Sequence, residues 1–125
     1  MCIRDRNSIP AISLTTDTSV LTSLSNDYSF DNIFSRQCDG LVNRGDVVIA
    51  ISTSGKSKNV INGLTSAKKK GAKTIGMLGK KGGDMTDLVT IPITVDSSST
   101  ARIQEVHRVI YHIICELVEQ KLSTK

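Results

Sequence analysis

Val47-Val48-Ile49-Ala50-Ile51-Ser52-Thr53-Ser54-Gly55-Lys56-Ser57 decides how this chain folds. The first five residues are apolar and mostly β-branched, the pattern of a strand buried on both faces of a parallel sheet. From Asn59 to Lys70 the spacing changes to that of a helix, with Val60, Ile61, Leu64 and Ala67 on one face and Gly71 closing the end. Between strand and helix stand Ser52, Thr53, Ser54, Gly55, Lys56 and Ser57. Hydroxyls can donate hydrogen bonds, glycine lets backbone approach closely, and the first N–H groups of a helix carry partial positive charge. Such a loop at the carboxyl end of a strand lies where open α/β sheets take their ligands. We therefore expect Ser52–Ser57 to bind phosphate. The blander alternative makes Ser57 an N-cap and the other serines turn residues. The density of hydroxyls directly after an apolar strand favours phosphate. The GxxxxGK[ST] pattern is absent, so this is not a nucleotide-binding P-loop.

Working outward, Lys73–Leu78 reads as a second strand, Gly79–Gly83 as a loop and Asp84–Leu88 as a short helix or turn, with Val89–Val95 a third strand. Upstream, Ile9–Leu14 reads as a short strand and Val20–Leu24 as a brief helix. Phe30, Ile33, Phe34, Cys38 and Leu41 recur at helical intervals, and Asn43–Asp46 forms a turn. Ser97–Thr100 offers N-caps for a last helix reaching about Leu122, with Ile103, Val106, Ile110, Ile113 and Leu117 as its apolar stripe. Strands alternating with helices predict an α/β fold of βαβ units around a mostly parallel sheet. Met1–Arg6 is polar and leads almost directly into the first expected strand, so the chain is expected to begin inside its domain.

The 125 residues make one domain at most. Aromatic residues are only 3% and Trp is absent, so the core must be built from Ile, Val and Leu. The net charge is +4, with lysines gathered at Lys68–Lys70, Lys73 and Lys80–Lys81. That could attract anions, but Lys68–Lys70 stands just before Gly71, where cations complement a helix dipole. No aromatic residues interleave as a base-stacking platform would require, so nucleic acid is not an expected partner. Cys2, Cys38 and Cys115 are odd in number and widely spaced, which argues for a reducing compartment rather than a disulfide framework. Cys115, in an apolar helical run, reads as a small buried hydrophobe. No segment is apolar for long enough to span a bilayer and no signal-peptide pattern opens the chain, so the expected location is cytoplasmic, without membrane partners.

His107 and His112 both fall on the last helix, about 140° apart around it. Each, taken alone, reads as a surface residue of an amphipathic helix. Gln104 and His112 are about 80° apart around that helix and about 12 Å apart along it. Arg102, Glu105 and Glu116 read as ordinary helix-surface charges, and Asn26-Asp27 as turn residues.

Taken together, these residues resemble a known family. Ile49–Val60 closely resembles the phosphosugar-binding loop of sugar isomerase (SIS) domains. Ser25-Asn26-Asp27, Phe30-Asp31-Asn32-Ile33-Phe34 and Ala101-Arg102-Ile103-Gln104-Glu105 narrow the likeness to phosphoheptose isomerases, from about Ile9 to Leu122. The resemblance implies a three-layer αβα SIS domain that lacks its N-terminal helices and first strand. It implies that Ser52, Thr53, Ser54 and Ser57 bind the sugar phosphate and that Asn26 and Asp27 contact the sugar's polar groups. Gln104 and His112 match positions that bind substrate and a zinc ion, and His112 also matches a proposed acid/base. The implied reaction is aldose–ketose isomerisation of sedoheptulose 7-phosphate to D-glycero-D-manno-heptose 7-phosphate, which feeds heptose-containing surface polysaccharides such as lipopolysaccharide. Sites between the subunits of a homotetramer are implied as well. They would ease the 12 Å problem, since zinc sits about 2 Å from each of its ligands.

Two departures stand out. The family's Asn-Gly-Gly loop and the helix carrying a His and a Glu have no match here. The residues 1–8 read as non-native sequence fused to a partial SIS domain. Ala101 stands where some members carry Asp, which removes one polar contact. The competing reading is a non-catalytic SIS module, such as the relative that binds the bacterial replication initiator. That relative shares Arg-Ile-Gln-Glu but lacks a histidine matching His112, so His112 favours the isomerase lineage. A sugar-phosphate sensor is a third reading, but no DNA-binding segment is visible.

Overall fold

Val47–Ser52 (β1) and Lys73–Gly79 (β2) lie side by side in parallel, with Val47 opposite Lys73 and Ser52 opposite Leu78. Ile91–Val95 (β3) adds to the far edge of β2, also parallel, with Ile75 opposite Ile91. The computed structural model describes residues 8–122. Among them the helices are α1 (Thr18–Asp27), α2 (Ile33–Leu41), α3 (Lys58–Lys69) and α4 (Thr100–Leu122), with 3-10 turns at Phe30–Asn32 and Gly83–Met85. Parallel strands cannot be joined by a tight hairpin, and α3 supplies the crossover from β1 to β2.

One face of the sheet is covered by α3, with α2 packed against α3 beside it. Ala50 and Leu78 meet Leu64 of α3 together with Met85 and Val89, all buried. Beside them Cys38 and Val42 pack on Ala67 and Ala72, with Leu14 and Val48 at the rim. Two buried hydroxyls here have partners. Thr74 is fully enclosed and its Oγ1 accepts the Thr90 N–H at 3.0 Å. The buried Ser66 hydroxyl donates to the Asp39 carboxylate, tying α3 to α2. Lys68 and Lys69 occupy the last turn of α3, and Gly71 follows with φ +84°. The triple lysine therefore serves as an exposed helix end.

The opposite sheet face differs from the expectation of a strand buried on both sides. Val47, Ile49 and Ile51 are 58%, 46% and 55% exposed. The period-two alternation of a strand sends these three away from α3, and α4 packs chiefly on β2 and β3. The expected strand at Ile9–Leu14 is also not formed. A short apolar run becomes a strand only where a neighbour supplies ladder hydrogen bonds. This one is held through α2 instead, where the Gln37 side-chain amide donates to the Leu14 carbonyl at 3.0 Å. The opening residues read as non-native lie outside the described residues except for Ser8, as does Cys2. Cys115 is exposed, not buried, since α4 buries only Ile103 and His107, in its first half.

Cys38 carries a pH-dependent consequence. Burial pushes its thiol above the ordinary value of 9.0, with the Asp39 carboxylate adding to the effect. The folded chain thus holds this proton more tightly than the unfolded one. The stabilisation is fully present below about pH 9 and is lost as pH rises through the folded value. Denaturant midpoints for wild type are expected to fall between pH 8 and 10.5 more steeply than for Cys38→Ala, once each is referred to its own value at pH 7. Parallel curves would contradict this.

Candidate functional site

The loop between β1 and α3 is shaped by its own hydroxyls. Ser52 is buried, and its Oγ accepts the Gly55 N–H at 3.1 Å. The same hydroxyl lies 3.2 Å from the Ser57 hydroxyl across the loop. Ser54 Oγ accepts the Lys56 N–H at 3.2 Å. Ser57 starts α3 with an extended backbone, but its side chain makes no cap hydrogen bond to the helix. The N-cap alternative for Ser57 therefore does not hold in its usual form. Its hydroxyl is turned back toward Ser52, at the mouth of the helix where the Lys58 and Asn59 N–H groups have no preceding intrahelical acceptor.

Glycine is required at position 55 twice over. Its φ is +65°, where L side chains rarely sit. A Cβ there would also collide with the Gly82 carbonyl and the Gly83 amide. The Gly79–Gly83 loop after β2 is thus packed directly onto the serine loop, and a Cβ on Gly83 would in turn meet the Ser54 and Gly55 carbonyls at 2.8 and 2.9 Å. Lys80 in that loop adopts φ +56°, an uncommon conformation for a non-glycine residue. The contact of Gly82-Gly83 with Gly55 is set by tertiary packing and leaves no local pattern in the sequence beyond the glycines themselves.

Chemically, the arrangement presents hydroxyls of Thr53, Ser54 and Ser57 and helix-start N–H groups at the carboxyl end of a parallel sheet. It can cradle a small oxyanion. Ser52 differs from the others, since its burial and its bond to Gly55 commit it to loop shape.

The remaining expected site residues are placed less closely. Asn26 and Asp27 end α1, exposed, and interact with each other at 3.5 Å. Asn26 also lines a shallow open groove with Leu21, Thr22, Ser25 and Phe30, a groove that includes no residue of the serine loop. Their link to α3 is indirect: the Asn62 amide donates to the Asp31 carbonyl at 3.0 Å, fixing the turn that follows α1. Gln104 and His112 are both exposed on α4. Among the described residues no group of three or more His, Cys, Asp or Glu side chains is arranged to hold a metal ion. The two α4 residues alone do not fit a zinc centre.

His107 departs from its reading as a surface residue. It is 4% exposed, and its Nε2 lies 3.0 Å from the Leu78 carbonyl. The inward face of α4 runs through Ile103 and His107, with Val106 41% exposed. The sequence signal for this face is the i, i+4 pair 103/107 rather than the aliphatic 103/106 spacing.

The residues 2–79 match the family model described as SIS domain. Over 118 residues the chain is 52% identical to a phosphoheptose isomerase of Sulfurimonas denitrificans, covering 94% of this chain and 60% of that protein. It is 53% identical to one from Geotalea daltonii, covering 94% and 62%. Among solved structures, a phosphoheptose isomerase from Francisella tularensis superposes with a TM-score of 0.89 at 34% identity, over 93% of this chain and 62% of that one. One from Neisseria gonorrhoeae gives 0.85 at 39%, over 87% and 61%. The chain thus spans about 60% of the length of the curated relatives it matches.

Gly55→Ala tests the site's geometry. The variant is expected to weaken inorganic phosphate binding about tenfold or more and to cost about 2 kcal/mol or more of stability, from the positive φ and the clash with Gly82. Calorimetric titration with phosphate and urea unfolding measure the two effects. Unchanged phosphate affinity would remove the loop from the binding site.

Proposed function

Because the chain belongs to the SIS domain family, we propose that it is the phosphosugar-binding part of a phosphoheptose isomerase, acting on sedoheptulose 7-phosphate. The observation that carries this reading is the hydroxyl-lined Ser52–Ser57 loop, interlocked with Gly82-Gly83 at the carboxyl end of the sheet. It is supported by about 50% identity to proteins of that name over nearly the whole chain. In this account Thr53, Ser54 and Ser57 hold the phosphate, with Ser52 shaping the loop around it. Asn26 and Asp27 meet hydroxyls of the sugar, and Gln104 binds near the carbonyl end. His112 moves a proton. In an aldose–ketose isomerisation the proton next to the carbonyl is removed, an enediol(ate) forms, and a proton returns to the neighbouring carbon. Holding the phosphate fixes which carbon faces the acid/base group.

A zinc ion at Gln104 and His112, as the family resemblance implies, would take its other ligands from outside the described residues. No step of the account depends on it. The non-catalytic module has no observation in its favour here. Among the described residues no helix is long and apolar enough to cross a membrane. A cytoplasmic location is part of the proposal.

The proposal includes a homo-oligomer, a tetramer in the family's manner, with sites between subunits. Its support is the apolar surface left open: Val47, Ile49, Ile51 and Ile91 on the sheet, and Val109, Ile113, Leu117 and Leu122 on α4, each at least half exposed or close to it. Exposed apolar side chains in this number favour association.

Two measurements test the proposal. Calorimetry is expected to show sedoheptulose 7-phosphate binding about tenfold more tightly than inorganic phosphate, as additional sugar contacts would provide. Equal affinities would reduce the site to a bare anion cradle. Light scattering after size exclusion is expected to give a multiple of 13.5 kDa. A monomer at all concentrations would contradict the assembly.

A further inference from the structure

His107 is a buried, proton-carrying side chain that the proposed chemistry does not use. A carbonyl oxygen can only accept, so the 3.0 Å contact with Leu78 places a proton on Nε2; in the neutral ring Nδ1 is then an acceptor. That Nδ1 is enclosed and has no hydrogen-bond partner among the described residues. An orphaned buried acceptor is destabilising, and an apolar side chain would fill the space without that cost. Packing alone does not account for histidine here.

The position of its partner does. Leu78 is the next-to-last residue of β2. The following Gly79 is squeezed between the serine loop and α4, where a Cβ would overlap the Thr53 carbonyl and stand 2.6 Å from the Ile103 side chain. The strand end that abuts the phosphate loop is therefore the same strand end to which α4 is fastened, by Ile103 through packing and by His107 through its hydrogen bond. Gln104 precedes His107 by three residues and His112 follows by five. On a helix these lie about 60° and 140° away from the His107 direction.

We infer that His107 is a positioning residue for the sugar-phosphate site: its bond to the Leu78 carbonyl sets the rotation and height of α4 against the Ser52–Ser57 loop, and so the direction in which Gln104 and His112 are presented. This rests on the phosphosugar reading above. Apolar packing of α4 on β2 and β3 is not directional, whereas the bond from His107 to the β2 end is, and it fixes how the helix is turned.

The test uses the full chain with His107→Leu and His107→Gln. In wild type, long-range proton–nitrogen NMR is expected to report the Nε2–H tautomer for His107; the Nδ1–H tautomer would overturn the inference without reference to any ligand. His107→Leu should keep its phosphate affinity within about twofold while losing about tenfold or more for sedoheptulose 7-phosphate. His107→Gln, whose amide can donate to the same carbonyl, should recover the sugar-phosphate affinity to within about threefold. His107→Leu binding the sugar phosphate like wild type would overturn the role. So would parallel loss of both ligands in both variants, since that is the signature of a merely structural residue. Failure of wild type itself to bind sedoheptulose 7-phosphate would overturn the functional reading and this role with it, and is told apart by the wild-type arm alone.

Discussion

The close approach of the Gly55 backbone to the Gly82 carbonyl is the constraint on which the site depends. Two loops leave the carboxyl ends of neighbouring parallel strands, and each would be mobile alone. Pressed together with no side chain between them, they form one rigid rim. The Ser52 hydroxyl completes the rim from inside by accepting the Gly55 N–H. The loop's hydroxyls and helix-start N–H groups are thereby gathered on a fixed backbone, which is what makes a binding loop preorganised. The parallel pairing of β1 and β2 sets the spacing of the two loops, and α3 packs against both strands.

Much of this was legible in the sequence because it is written in local patterns. The apolar run at Val47–Ile51, the helical spacing from Asn59 and the glycine at 71 specify a strand, a crossover helix and its end. The order of elements follows from them. The serine loop was recognisable because its chemistry is concentrated in six consecutive residues at a place where α/β sheets bind ligands.

What was not legible depends on partners distant in sequence. A β-branched run looks the same whether one or both of its faces are covered, so the exposure of Val47, Ile49 and Ile51 had no signature. Ile9–Leu14 has strand-like composition but gains no ladder. The α4 stripe is ambiguous because 103/106 and 103/107 are both helical neighbours, and only the β2 strand end selects the second. That choice turns His107 inward. It leaves Val106 outside, and further along the helix Cys115 is exposed as well. Asn26 and Asp27 join the site by resemblance and not by any contact with the loop.

The central claim is that the serine loop and α4 form one sugar-phosphate site. Amide-resolved NMR during titration with sedoheptulose 7-phosphate tests it most directly. The account predicts the largest shifts at Thr53–Asn59, with a second set at Gln104 and His112 that inorganic phosphate does not produce. Shifts centred on the groove of Leu21, Ser25 and Phe30, with the loop unmoved, would contradict it.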